Sequence, residues 1–165
     1  RENGHGTWTG SDGERYSGNW RNGEKFGMGK YFYIDGSVFV GEFKDGLRNG
    51  QGSDTYSNGG KYEGEFKEGK KNGQGIFTWP DGRKYVGKFK NGLPNGKGTE
   101  TSPIGWKYLG EFKDGEKHGK GKFTYTDGGW YNGVWKEGQS WNVTKYSKNG
   151  KISYKKLNGK IQYKQ

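Results

Sequence analysis

The chain has no cysteine and no alanine, only three prolines, and just 23 residues of Leu, Ile, Val and Phe together, 14% of its 165. Without cysteine there is no disulfide framework, no thiolate zinc site and no cysteine nucleophile. Without alanine, and with 35 glycines, a helical bundle or an α/β fold would work against propensity along its whole length. No apolar run approaches the ~20 residues of a membrane-spanning helix, and no signal-peptide core is present. The chain therefore reads as soluble, cytoplasmic or exported, with the compartment left open. Few aliphatic residues and a net charge of +11 are the composition of a disordered segment. What is abundant contradicts that reading: 28 residues are aromatic, 7 Trp, 12 Tyr and 9 Phe. A core built from this chain has to be aromatic, and its structure β.

Self-comparison puts the rings and glycines in one register. A Y/F-x-G-x-W/F motif occurs at Tyr16-Gly18-Trp20, Phe39-Gly41-Phe43, Tyr62-Gly64-Phe66, Tyr85-Gly87-Phe89, Tyr108-Gly110-Phe112 and Tyr131-Gly133-Trp135, always 23 residues apart. Thirty of the 35 glycines fall on five columns of that register. Gly4, Gly6 and Gly13 fill three of the columns ahead of Tyr16, so residues 1–15 read as a partial repeat. Full repeats start near 16, 39, 62, 85, 108 and 131.

Within one repeat, Lys61-Tyr62-Glu63-Gly64-Glu65-Phe66-Lys67 alternates between an apolar and a charged face, the pattern of a half-buried strand. Glu68-Gly69 and its counterparts supply the polar-Gly pair that suits a tight turn with positive φ. A Gly-x-Gly step follows, then a short second strand such as Ile76-Phe77-Thr78-Trp79, then a turn at Pro80-Asp81-Gly82. A lone hairpin is marginal in water, so the units have to stack, advancing roughly 10 Å per repeat. The central glycine of each motif is expected to leave room for the ring of a neighbouring repeat.

Strings such as YEGEFKEGKKNGQGIFTWPDG, from Tyr62, and YLGEFKDGEKHGKGKFTYTDG, from Tyr108, resemble the MORN (membrane occupation and recognition nexus) repeat over about residues 1–140. The resemblance is that of a bacterial-type stand-alone array. It implies an all-β fold, an elongated, single-layer, twisted antiparallel sheet of stacked β-hairpins with six to seven repeats. It also implies no enzymatic activity in the repeats and service as an interaction or membrane-tethering module. Two places depart from the pattern. In the repeat from Tyr85, Glu100 and Ser102 stand where Phe77 and Trp79 stand one repeat earlier, and Pro103 follows, so a locally irregular strand is expected there. After Gly138 the register is lost, with Asn142 and Thr144 in the Gly-x-Gly columns. Residues 141–165 then read as a divergent C-terminal cap that covers an exposed edge.

Charge is unevenly spread. Residues 141–165 hold seven Lys and no acid: Lys145, Lys148, Lys151, Lys155, Lys156, Lys160 and Lys164. They could attract an anionic lipid or nucleic acid, or simply protect a sheet edge. The column Arg21, Lys44, Lys67, Lys90, Lys113 and Lys136 is a charge-balanced, solvated face, because Glu42, Glu65 and Glu111 sit two residues before three of its members. The first-strand aromatic columns form the core. Tyr33, Tyr56, Trp79 and Tyr125, on the second strand, are expected as exposed rings lining a partner-binding groove.

Catalytic patterns are absent. His5 and His118 lie in different columns, no nucleotide or nucleophile motif occurs, and no helix follows the Gly-x-Gly steps to cradle phosphate. No cofactor or metal is expected. The leading reading is a non-catalytic repeat scaffold for protein–protein interaction, including self-association as a homodimer. The alternatives are peripheral binding to anionic phospholipid membranes through the Lys-rich cap, and a glycan- or choline-binding cell-surface module. Nucleic acid is disfavoured, because Arg-rich stacking is not evident.

Overall fold

A computed structural model describes residues 3–162. Fifteen antiparallel β-strands make up the fold, with no helix among the described residues. The chain divides into two units, residues 1–81 with 90–92, and residues 82–89 with 93–165. The first holds β1 (Gly4–Thr9), β2 (Arg15–Arg21), β3 (Glu24–Phe32), β4 (Val38–Lys44), β5 (Leu47–Thr55), β6 (Lys61–Lys67) and β7 (Lys70–Thr78). The second holds β8 (Lys84–Lys90), β9 (Leu93–Thr101), β10 (Lys107–Lys113), β11 (Glu116–Thr124), β12 (Trp130–Lys136), β13 (Gln139–Tyr146), β14 (Ile152–Leu157) and β15 (Lys160–Gln162). Within each unit the sheet order is the chain order. The fold class is the all-β sheet of stacked hairpins that the repeat predicts.

The hairpin β6–β7 shows how the sequence dictates the geometry. Tyr62 and Phe66 are buried while Lys61, Glu63 and Lys67 are exposed, the alternation of a one-sided strand. At the turn, Glu68 and Gly69 have φ of 49° and 79°; two positive values in a row are what a type I′ hairpin turn requires. Pairing then shifts, from Phe66↔Lys71 to Gly64↔Gly75, so that Glu65 alone faces Asn72, Gly73 and Gln74. Gly73 takes φ of 94° in this bulge, a value that favours glycine. The Glu65 carboxylate accepts the Gln74 amide at 2.8 Å, and the Glu65 carbonyl accepts the Tyr62 hydroxyl at 2.9 Å. Repeats are also tied together by backbone: the Gly69 amide donates to the Arg48 carbonyl at 2.9 Å and the Gly46 amide to that of Lys25 at 3.1 Å.

The glycines make room for a ring of their own repeat, not of a neighbour as the sequence reading has it. Gly64 and Gly75 are paired, and the Tyr62 ring lies over both: a Cβ added at Gly75 would meet Tyr62 atoms at 2.5–2.7 Å. Phe39 sits on Gly41 and Gly52 in the same way. Laid along its own hairpin, each ring meets its neighbours edge-on. In the first unit Trp20, Tyr16, Phe43, Phe39 and Phe66 form an unbroken series of T-shaped pairs with centroids 5.0–5.2 Å apart. In the second, Phe89, Tyr85, Phe112, Tyr108 and Trp135 do the same at 4.8–5.2 Å. Edge-to-face packing adds about 0.5–1.5 kcal/mol per pair beyond burial, which is how a chain so poor in aliphatics acquires a core.

Two local expectations need correction. The second strand is not a short segment after Gly-x-Gly; β7 begins at Lys70, contains the Gly-x-Gly step and ends before Trp79. Strand β9 is regular despite Glu100, because Pro103 falls in the loop beyond it and pairing with β10 runs unbroken from Gly96↔Phe112 to Thr101↔Lys107. Past Gly138 the repeat register is lost, as expected: β13 pairs with β12 through a one-residue bulge at Val134/Trp135, one residue tighter than the bulge in β7, so Gly133 faces Val143 rather than Thr144. Residues 141–165 supply most of β13 and the hairpin β14–β15.

Candidate interaction face

Beyond the buried ladder, each second strand brings a further row of side chains to the ring-bearing face. At the position of Phe77 the repeats carry Tyr31, Asp54, Phe77, Glu100 and Phe123, alternately a ring and an acid. Two residues later come Tyr33, Tyr56, Trp79 and Tyr125. Each of these lies one residue past its strand, and each is half-buried rather than exposed. The amides of Tyr33, Tyr56 and Tyr125 close the following loop by donating to Ser37, Gly60 and Gly129 carbonyls at 2.8–2.9 Å, so these rings have fixed roots. In the first unit Tyr33 lies 4.7 Å from Tyr31, Tyr56 5.9 Å from Phe77, and Trp79 4.9 Å from Phe77; in the second, Tyr125 lies 4.8 Å from Phe123.

The same face carries a column of cations that the sequence pattern alone does not single out: Lys25, Arg48, Lys71 and Lys117, with Pro94 in the position between the last two. Lys25 stands 4.3 Å over the Tyr31 ring, Lys71 4.6 Å over Phe77, and Lys117 5.3 Å over Trp106. Such contacts are worth about 0.5–2 kcal/mol. Burial lowers the Lys25 and Lys71 ammonium pKa, opposed by Glu14 in the first case and Asp54 in the second. The two acids that replace rings each have cationic partners. Asp54 accepts Arg48 Nη1 at 3.0 Å on both oxygens and the Tyr56 hydroxyl at 3.0 Å. Glu100 pairs with Lys117 Nζ at 2.5 Å and Arg83 Nη1 at 3.3 Å. Glu14, at the first repeat, accepts the Tyr31 hydroxyl.

Buried phenols make this face sensitive to alkali. Burial pushes the Tyr85 hydroxyl up to about 12, and it raises Tyr16, Tyr62 and Tyr108 as well. A pKa raised in the folded state means that the folded chain holds the proton more tightly. The resulting stability is complete below pH ~10, the unfolded value, and is lost as pH rises toward about 12 for Tyr85. Tyrosinate absorbance and the circular dichroism transition are expected to rise together in that window. Ionisation of all twelve tyrosines at pH ~10 with the fold intact would contradict buried phenols.

The seven terminal lysines do not share one surface. Lys145 is on the ring face, 5.3–5.7 Å over Tyr125, Tyr131 and Tyr154, and Lys156 is bonded to Ser140 there. Lys155 and Lys160 are on the opposite face, Lys148 and Lys151 flank a loop, and Lys164 lies outside the described residues. Across the sheet, the column from Arg21 to Lys136 is exposed throughout. Its expected counter-charges are otherwise engaged: Glu42 and Glu65 turn to the amides of Gln51 and Gln74 in the bulges.

A sequence profile of the MORN repeat matches residues 1–15, 16–38, 39–61, 62–82, 85–107 and 108–130. No curated protein matches the chain in sequence. Among solved structures it is similar to the TCP domain of SAS-4 (dCPAP) of Drosophila melanogaster, determined in complex with a proline-rich motif of Ana2 (dSTIL). That likeness has a TM-score of 0.51 at 16% identity, over 97% of this chain and 90% of that one, and is one of fold. The G-box domain of the microcephaly protein CPAP is similar at a TM-score of 0.41 and 14% identity, over 98% of this chain and 100% of that one.

Proposed function

The chain belongs to the MORN-repeat family, and from that premise we propose that it is a non-catalytic scaffold that binds a protein partner, a second copy of itself included, along its ring-bearing face. The observation that carries this reading is the outer row of rings. Tyr33, Tyr56 and Trp79 in the first unit and Tyr125 in the second are half-buried on a sheet one layer thick, and rigid aromatic side chains beside fixed charges are the groups that anchor protein interfaces. One further observation supports it: Asp54 and Glu100 on this face are tied to cations.

A photo-crosslinking amino acid placed at Tyr56, compared with one at Glu63 on the opposite face, tests the reading in cell extract. The Tyr56 label is expected to capture a defined protein species, or the chain itself, that the Glu63 label does not. Once purified, that species should bind the unlabelled chain and lose about tenfold or more in affinity on Tyr33→Ala with Trp79→Ala. Equal capture from both faces, or affinity indifferent to the two substitutions, would overturn it.

A further inference from the structure

The face opposite the rings differs between the two units. The first unit carries 12 Lys and Arg against 12 Asp and Glu, whereas the second carries 17 against 6. The basic excess therefore reaches well beyond the terminal lysines. In the second unit the outward positions of β8–β12 combine that charge with exposed apolar side chains. Leu109, 55% exposed, stands opposite Thr99 on one side and Lys122 on the other. Val134 stands opposite Lys120, and Val86 lies between Lys84 and Lys88 along β8. Lys97 and Lys107 extend the surface on β9 and β10, and all of these lysines are exposed.

Negative charge is scarce there. Glu111 is the acid at the middle of the face, and its carboxylate turns into the bulge against Gly119, as Glu42 and Glu65 do in their repeats. Asp114, Glu116 and Glu137 sit at or beside the hairpin turns. In the first unit the positions equivalent to Val86 and Lys88 hold Glu63 and Glu65, so lysines and acids alternate there.

We propose that the outward face of β8–β12 is a docking surface for an acidic, amphipathic segment of a partner protein, with carboxylates meeting the lysines and apolar side chains covering Val86, Leu109 and Val134. This surface is distinct from the ring-bearing face, and the inference does not depend on it. Charge complementarity selects the occupant: lysines outnumber acids on this face, and Glu111, opposite Lys97, has its carboxylate turned into the bulge at Gly119, so the surface attracts and orients a carboxylate-rich chain. The interleaved apolar groups separate it from nucleic acid, whose phosphates would leave them uncovered and which relies on stacking platforms and Arg. Here the outward ring Trp130 is already stacked on Tyr146 at 5.0 Å and covered by Lys122 at 4.9 Å. An anionic bilayer also attracts clustered lysines, so vesicles enter the test as the competing occupant.

The probe is a labelled synthetic peptide of about 20 residues alternating Glu and Leu, long enough to cross several strands at ~4.8 Å each. Saturable binding that weakens with salt is expected. The combination Lys97→Glu, Lys120→Glu and Lys122→Glu should weaken it about tenfold or more, and Leu109→Ser about threefold. The reversal Lys44→Glu, Lys61→Glu and Lys67→Glu in the first unit should leave it within about twofold, as charges on a face that already alternates in sign are expected to do. All substituted positions are exposed; should a charge-reversed variant melt early, the corresponding Lys→Gln set replaces it. Failure of the peptide to bind, or equal loss from the reversals in the two units, overturns the proposal. So does tighter binding of phosphatidylserine vesicles or of a single-stranded oligonucleotide than of the peptide.

Discussion

Gly75→Ala is expected to lower the unfolding free energy by about 3 kcal/mol, the upper range for forcing extra volume into a packed core. The backbone at Gly75 does not ask for glycine; the Tyr62 ring does. A methyl group there would lie 2.5 Å from the Tyr62 hydroxyl and 2.6–2.7 Å from ring carbons, and the ring cannot retreat. Its hydroxyl is bonded to the Glu65 carbonyl, and its edge packs on Phe66 at 5.1 Å. Gly69→Ala provides the contrast. At that turn φ is 79° and no atom lies within 4 Å of the new Cβ, so only backbone strain remains, about 1 kcal/mol. Urea unfolding of the two variants measures the difference, and Gly75→Ala combined with Tyr62→Leu should recover part of the loss. Equal costs at Gly69 and Gly75 would mean that conformational freedom, not the seat of the ring, places glycine in that column.

Those two glycines also mark what the sequence makes legible. The turn at Glu68-Gly69 follows from residue chemistry alone, since a polar residue and a glycine between alternating strands have few other uses. The all-β hairpin array, its 23-residue step and the buried first-strand columns follow in the same way. Which ring fills the space over Gly64 and Gly75 does not, because the periodicity is the same whether a ring leans along its own hairpin or across to the next. The bulge opposite Glu65 decides it, by turning a carbonyl toward the Tyr62 hydroxyl, and a bulge changes pairing without changing the repeat length. Of the ring-bearing face, the positions of Tyr33, Tyr56, Trp79 and Tyr125 follow from the repeat, but the structure puts them half-buried at loop starts rather than exposed on a strand. The cations beneath them escape notice because Lys25, Arg48, Lys71 and Lys117 follow each turn by two residues, where a surface charge is the ordinary expectation. Reading the Phe77 column as a whole exposes them, since Asp54 and Glu100 in a row of rings require partners. The lysine-rich terminus shows the converse: proximity in sequence does not put Lys145, Lys155 and Lys148 on one surface, because a strand sends neighbours to opposite faces.

The buried pair Arg48–Asp54 should show a coupling of about 2 kcal/mol in a double-mutant cycle, and its two halves should differ. Arg48→Ala leaves Asp54, whose side chain is 5% exposed, hydrogen-bonded by the Tyr56 hydroxyl and facing the Lys71 charge, and removes the guanidinium that lies 5.0 Å over Phe66 and bonds the Gly69 carbonyl at 2.5 Å. A loss of about 3 kcal/mol is expected, as for a buried carboxylate that loses its hydrogen-bonded cation and keeps only the charge of Lys71. Asp54→Ala leaves Arg48 at 27% exposure, still bonded to Gly69 and able to reach water, so a loss of about 2 kcal/mol is expected. Replacing both, Asp54→Phe with Arg48→Leu, gives this repeat the ring that Phe77 supplies to the next, and apolar replacements of buried pairs are often neutral or stabilising. That variant should unfold within about 1 kcal/mol of the parent. A coupling near zero would place the pair with surface ion pairs that contribute nothing measurable. If the apolar variant holds its stability and loses the species captured at Tyr56, then the charges on the ring face serve recognition rather than folding, and the alternation of ring and acid along that column encodes which partner it accepts.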